Sequence, residues 1–431
     1  MPNYTIGFEY EITQLYFCDK TKNFESAKKS FTDACQSRED DKVTKAKDLF
    51  LGQLWLESMK QDSEILITKE NPPKLKLVSD NNKPEVVSGV LTSNELIAIN
   101  KSLDFLREFK FDAREREEIG PPYVKKWNWD QLQKGTTKDW LVADTFNTEH
   151  VNIVQMGDGI SGSLQYTVGF SLNKLLPFLK FCAEQPIPQA GGRASKGPFH
   201  GIYNEYLTSK AAMLTREGYY CETPKSFLMI ERNNRKLNSA IDYVEQKLGA
   251  GNDDLVRVRG FSCYFIFLMD IASEICTTSR SGYLKKHFPL MSRTNLGSIY
   301  DNLNKTEQTH FANVARGWLK EKYIWQNGRV NVSEWVDKIV EKKDPLAVSV
   351  DRKNFESVWG GGYNDTDKSM GQYDYEAGLK EIIIEIRNLG YHLPILRQQG
   401  TQKTKRDGYT PELLPKVHEI VVSELNSILD G

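Results

Sequence analysis

Paired cysteines, clustered histidines, long apolar runs and an excess of either charge are all missing from this sequence. Its six cysteines, Cys18, Cys35, Cys182, Cys221, Cys263 and Cys276, form no C-x-x-C pair. That argues against a zinc site and for reduced thiols in a cytosol-like compartment. The six histidines form no metal-spaced cluster. No apolar run reaches the roughly 18 residues that a membrane-spanning helix needs. The N-terminus lacks a basic region followed by an apolar stretch, so no secretory signal is visible. The formal net charge is -1, so no basic field argues for nucleic acid or for an anionic membrane. These absences lead to the expectation of a cytoplasmic protein whose chemistry rests on carboxylates and basic groups.

What is present is ordinary globular composition, 39% hydrophobic and 27% charged over 431 residues. That length allows a large core in one elaborated domain or two. The opening run Tyr4-Thr-Ile-Gly-Phe-Glu-Tyr-Glu-Ile12 has strand character. A strand places alternate residues on one face, so Glu9 and Glu11 point one way while Phe8, Tyr10 and Ile12 point the other. Two readings stand for the acidic face. It is a solvated strand surface, or it holds a hard cation such as Mg²⁺, which prefers carboxylate oxygens and leaves positions open for phosphates.

A helical block follows at 23–60, with Phe31, Leu49, Phe50, Leu54, Trp55 and Met59 spaced for one buried stripe against a sheet. Strands are predicted at 64–68, 75–80 and 85–91, the last two joined by the turn signal Asn81-Asn82-Lys83-Pro84. Asp80 and Glu85 flank that turn. A helix is predicted over 92–109 with Ser93 as its cap. The charged and aromatic stretch 111–139 reads as a long surface connection or lid. Runs 150–155 and 162–171 around Gly157-Asp-Gly159 predict a hairpin. On its second strand Ser163, Gln165, Thr167 and Gly169 share a small polar face that suits a nucleotide or simply faces solvent.

Beyond residue 173 helices are predicted at 175–184, 203–216, 236–246 and, charged and Trp-rich, across 305–345. Phe261–Met269 reads as a buried helix core. The Gly- and Pro-rich loop 186–198 carries Arg193 and Lys196 without Walker spacing. Lys285-Lys286-His287 through Arg293 precedes a helix start, which suits anion binding or is an ordinary loop. After the glycine-rich loop 360–367, the run 379–388 is a predicted strand with Glu385 and Arg387 on one face, either a phosphate and metal pair or a cross-strand salt bridge. A helix closes the chain at 411–429.

In this order the segments resemble the carboxylate–amine ligases of the glutamine-synthetase fold, the amidoligases and glutamate–cysteine ligases. Gly7-Phe-Glu9-Tyr-Glu11 is similar to their G-x-E-x-E strand. Asp80 followed by Glu85-Val-Val-Ser88 is similar to their next element, and Gln165-Tyr-Thr167 to a Q-x-T strand. Lys286–Arg293 resembles a loop ahead of a substrate-facing arginine, and Glu385-Ile-Arg387 a late E-x-R strand. The sequence departs from the family in the block 23–60. It also has His150 and Asn152 where paired histidines are usual.

The resemblance implies an α+β fold, mostly an antiparallel curved sheet forming a funnel-like site, with helices outside. It implies one catalytic domain over 1–431, with the helical insertion 23–60 and a helix-rich part at about 173–345. It implies ATP- and Mg²⁺-dependent amide formation through an acyl phosphate, on an amino acid, peptide or protein side chain. Glu9, Glu11, Glu85 and Glu385 would hold the metal. Arg293 and Arg387 would clamp phosphate or carboxylate, while Gln165, Thr167 and Lys286 would contact the nucleotide. A non-ligating effector or binding protein, and a phosphotransferase or nucleotidyl transferase, remain the competing readings.

Overall fold

Strand β1 (Tyr4–Ile12) forms because aromatic and aliphatic side chains alternate along it. Tyr4, Ile6, Phe8, Tyr10 and Ile12 are each at most 1% exposed. The computed structural model describes most of residues 4–184 and 290–341, together with 224–277, 381–386 and 409–429. It shows an α+β chain with antiparallel sheets, divided into two units. The N-terminal unit comprises Gly7–Leu164 with Asp407–His418. The C-terminal unit comprises Met1–Ile6, Gln165–Arg406 and Glu419–Gly431.

In the N-terminal unit the chain runs from β1 into β2 (Leu15–Asp19), then through helices Phe24–Cys35 and Asp40–Leu54. Strands β3 (Ser63–Thr68), β4 (Leu75–Asp80) and β5 (Lys83–Ser88) follow. β4 and β5 are the predicted hairpin. Asn82 supplies its turn with φ 63°, a left-handed conformation that asparagine tolerates. Helix Ser93–Ala98 is capped by Thr92, one residue before the predicted Ser93, through a reciprocal capping box with Glu95. A 3₁₀ segment then continues over Ile99–Glu108.

The stretch expected to be a loop contains helix Ala113–Ile119 and strand β6 (Val124–Asn128). Short β7 (Trp140–Val142) pairs with β3. The predicted hairpin around Gly157 does not form. β8 (Val151–Met156) lies between β2 and β6 in a three-stranded sheet, so both its edges are taken. The helical pair packs on that sheet. Phe24, Phe31, Phe50 and Leu54 are buried with Cys18, Val124 and Val154. Leu49 and Trp55 fall off the buried stripe and are exposed.

Strand β9 (Gly162–Phe170) leads into the C-terminal unit. There it pairs with β13 (Ile382–Ile386), which pairs in turn with β10 (Leu290–Ser292). Helices Leu175–Glu184, Pro224–Leu248, Val256–Thr277 and Lys305–Leu319 supply the core. Phe261 of the third stacks on Phe311 of the fourth at 4.7 Å. The region 305–345 is not helical throughout, because β11 (Tyr323–Trp325) and β12 (Arg329–Asn331) form a small ladder before helix Ser333–Val340. Helix Leu414–Leu429 ends the described chain. Among the described residues no helix is long and apolar enough to cross a membrane.

Candidate functional site

In the N-terminal unit β1 and β5 run antiparallel with Glu9 opposite Val87, Tyr10 opposite Val86 and Glu11 opposite Glu85. Directly opposed side chains lie on one sheet face, with Cβ atoms roughly 5 Å apart. One face therefore carries Glu9, Glu11 and Glu85. This is not the solvated surface that a wet strand face would give. Glu9 is 9% exposed, Glu85 is 8% exposed and Glu11 is half-buried. Like charges facing across a ladder destabilise it, and a cation on this face relieves that repulsion.

The face has a defined rim. The Ser163 hydroxyl donates to Glu11 Oε2 at 2.9 Å. Gly162 and Tyr409 exchange two backbone hydrogen bonds, Gly162 N–H to Tyr409 O at 3.0 Å and Tyr409 N–H to Gly162 O at 2.8 Å. The Tyr10 hydroxyl donates to the same Tyr409 carbonyl at 2.6 Å. Burial, then the nearby Glu412 charge, raises the Tyr10 pKa well above its ordinary value, so this donor keeps its proton.

In the C-terminal unit Glu385 of β13 stands opposite both Thr167 of β9 and Met291 of β10. Strand alternation puts Gln165, Thr167, Glu385 and Arg293 on one face. The opposite face carries Tyr166, Val168, Phe170, Ile384 and Ser292. Phe170 packs on Phe178 of helix Leu175–Glu184 at 5.1 Å. Arg293 follows β10 directly. Its N–H donates to Ile383 O at 2.9 Å, and Thr294 Oγ1 accepts from Ile383 N–H at 2.7 Å. The Arg293 guanidinium is ion-paired with Glu385, whose side chain has no exposed surface. On the apolar side Tyr264 is fully buried. Desolvation raises its pKa, against the opposing effects of the Ser292 hydroxyl and the Arg293 charge.

The expected site residues thus fall into two groups. Glu9, Glu11 and Glu85 share a face in the N-terminal unit. Gln165, Thr167, Glu385 and Arg293 share one in the C-terminal unit. Glu385, expected among metal ligands, is the partner of Arg293. Lys286, Arg387, Arg193, Lys196, the helix expected at 203–216 and the loop 360–367 lie outside the described residues. Sequence reasoning missed Tyr409 and the support that Ser163 gives Glu11. Ser163 was visible on the small polar face of its strand, but nothing local marks the partner of its hydroxyl.

Among the described residues no group of three or more His, Cys, Asp or Glu side chains is placed to hold a metal ion. Mg²⁺ does not require such a cage. It keeps several waters and is commonly bound through one or two carboxylates plus substrate phosphates. The opposed pair Glu11 and Glu85 fits that donor set.

No protein-family model matches the chain, and no curated protein matches it. Two solved structures are similar in outline. The first is the ACD domain of a VgrG toxin from Vibrio cholerae, a Glu-to-Gln variant in complex with ADP and Mn²⁺. It is 11% identical, with TM-score 0.41 over 91% of this chain and 96% of that one. The second is a Vibrio cholerae toxin of the MARTX/VgrG family, 11% identical, with TM-score 0.39 over 90% of this chain and 94% of that one. Likeness at this level assigns no activity. The functional reading rests on the residues themselves.

Proposed function

We propose that this chain is an ATP- and Mg²⁺-dependent carboxylate–amine ligase. The observation that carries the reading is the opposition of Glu11 and Glu85 across adjacent strands, with buried Glu9 on the same face. Such a pair supplies oxygen ligands for a divalent ion and leaves its remaining positions to phosphates. When bound, Mg·ATP would supply the phosphoryl group that turns a substrate carboxylate into an acyl phosphate, leaving ADP, and an amine attacking the acyl carbon would then expel inorganic phosphate and form the amide. In this reading Glu11 and Glu85 hold the cation directly, and Glu9 lies beside them on the same face.

Arg293 contacts phosphate or carboxylate oxygens, and Glu385 fixes the plane of its guanidinium. Such a held fork binds oxyanions bidentately with less rotamer freedom to lose. Gln165 and Thr167 offer an amide and a hydroxyl to the nucleotide or substrate, and Lys286 and Arg387 are further candidate contacts. The substrate is an amino acid, a peptide or a protein side chain.

The test is ATP turnover by the full chain and by Glu11→Gln and Glu85→Gln variants that unfold at the wild-type urea midpoint. Loss of Mg²⁺-dependent ADP release in both variants, with an amide in the wild-type product by mass spectrometry, supports the reading. Turnover that survives both substitutions removes the metal assignment. A phosphorylated or AMP-bearing product moves the chain to the transferases.

A further inference from the structure

We infer that Ser163 is a positioning residue for the Glu11 carboxylate, held in place by a clamp of Gly162, Tyr409 and Tyr10. The inference rests on the metal reading of Glu11 and adds to it the device that aims this ligand. An ionised carboxylate on a strand can rotate about its terminal torsion, which is broad and poorly determined by sterics. Opposite a second carboxylate it also turns away to reduce repulsion. A hydroxyl donor on one oxygen fixes the plane in which the carboxylate meets a cation. Hydrogen bonds to charged oxygens are the stronger kind, and partners that orient a ligand commonly govern metal affinity.

Ser163 Oγ is such a donor, 2.9 Å from Glu11 Oε2. Its own position is set one residue earlier. A side chain at Gly162 would run into the Glu11 carbonyl oxygen and the Tyr10 ring, so only glycine lets β9 approach β1 this closely. Gly162 is tied to Tyr409 by two backbone bonds, and Tyr10 ties the Tyr409 carbonyl a second time. Tyr10 and Glu11 are adjacent in β1 and project to opposite faces. One face of the strand therefore anchors the clamp while the other presents the carboxylate that the clamp orients.

The experiment is a titration of the full chain with Mn²⁺ alone, read by the loss of the free-ion EPR signal, alongside urea unfolding of each variant. Ser163→Ala is expected to weaken Mn²⁺ binding about tenfold, the lower end for loss of a supporting hydrogen bond, with its unfolding midpoint unchanged. Ser163→Thr keeps a hydroxyl and is expected to restore binding, which a purely structural role does not predict. Tyr10→Phe keeps the ring, removes only the bond to Tyr409, and is expected to weaken Mn²⁺ binding in the folded protein. Wild-type affinity in Ser163→Ala, while Glu11→Gln loses Mn²⁺, would overturn the inference and leave the metal reading standing. Wild-type affinity in Glu11→Gln removes the metal reading and the inference with it.

Discussion

Arg293 and Glu385 form an ion pair in which the carboxylate is wholly buried and the guanidinium is 11% exposed. They are 92 residues apart in sequence and meet because β10 and β13 pair with Met291 opposite Glu385. A buried pair of this kind is asymmetric in its energetics. Removing one partner strands the other charge at about 3–5 kcal/mol, whereas replacing both with apolar groups is often close to neutral. Arg293→Met alone is therefore expected to lower stability by about 3 kcal/mol. Arg293→Met combined with Glu385→Leu recovers most of it, while activity is lost in both. Urea unfolding of the two variants checks the stability order.

His418 is a fully buried histidine of the N-terminal unit. Its ring has no exposed surface, lies 4.9 Å from the Phe8 ring, and has Nδ1 2.9 Å from Asn100 Oδ1. Burial pulls its pKa down from 6.5 to about 3. Between those values the unfolded chain binds a proton that the folded chain does not. Stability is therefore full above about pH 6.5 and falls by about 1.4 kcal/mol per pH unit as pH drops toward 3. In His418→Gln this slope is expected to disappear between pH 6 and about 4, read from urea midpoints across pH. A slope unchanged by the substitution would assign the acid sensitivity elsewhere.

Gly162→Ala is expected to destabilise the protein by about 1–3 kcal/mol, the usual range for overpacking. The new methyl meets a carbonyl oxygen and a buried ring rather than a flexible chain end. Neighbouring Ser163→Ala removes an oxygen without adding volume and is expected to leave the unfolding midpoint alone. The contrast between adjacent positions is a direct check on the close approach of the two strands.

The capping box at Thr92 and Glu95 gives a fourth stability test. Thr92 Oγ1 accepts from Glu95 N–H, and Glu95 Oε2 accepts from Thr92 N–H at 2.8 Å. Thr92→Ala is expected to cost about 1 kcal/mol. The Lys74 ammonium, followed by the Thr92 N–H, holds the Glu95 carboxyl below its ordinary pKa. A depressed carboxyl contributes stability above its unfolded pKa of about 4.3, and that contribution is lost as pH falls through the lower folded value. Lys74→Met is expected to flatten the stability profile in that window and nowhere above it.

Much of the fold was legible where the signal was local. Strand-like runs located β1, β4, β5 and β9, and β-branched content located β13. The Asn81-Asn82 turn fixed one hairpin, and an unbroken apolar run marked the helix that contains Phe261–Met269. What failed depended on choice of partner. The glycine turn at 157–159 predicted a hairpin, but β8 found two other strands to bond. Leu49 and Trp55 matched a helical stripe, but Leu49 is exposed and Trp55 lies past the helix end at Leu54.

The site divides in the same way. That Glu9 and Glu11 share a face follows from strand geometry alone. That Glu11 stands opposite Glu85 is a matter of register, which no local pattern encodes. The partnership of Arg293 with Glu385, and of Ser163 with Glu11, depends on which strands become neighbours.

The tie between Tyr10 and Tyr409 has a consequence for how the protein is made. Tyr409 is 399 residues beyond Tyr10, so the anchor is synthesised long after the residue that it holds. Both units are discontinuous in sequence and borrow their last segments from the C-terminal end. Contacts of such separation close late, because the entropy of ordering the intervening chain must be overcome first. The carboxylate face therefore reaches its final geometry only once residue 409 has been made, and a chain stopped before it carries Glu9, Glu11 and Glu85 without the tie between Tyr10 and Tyr409.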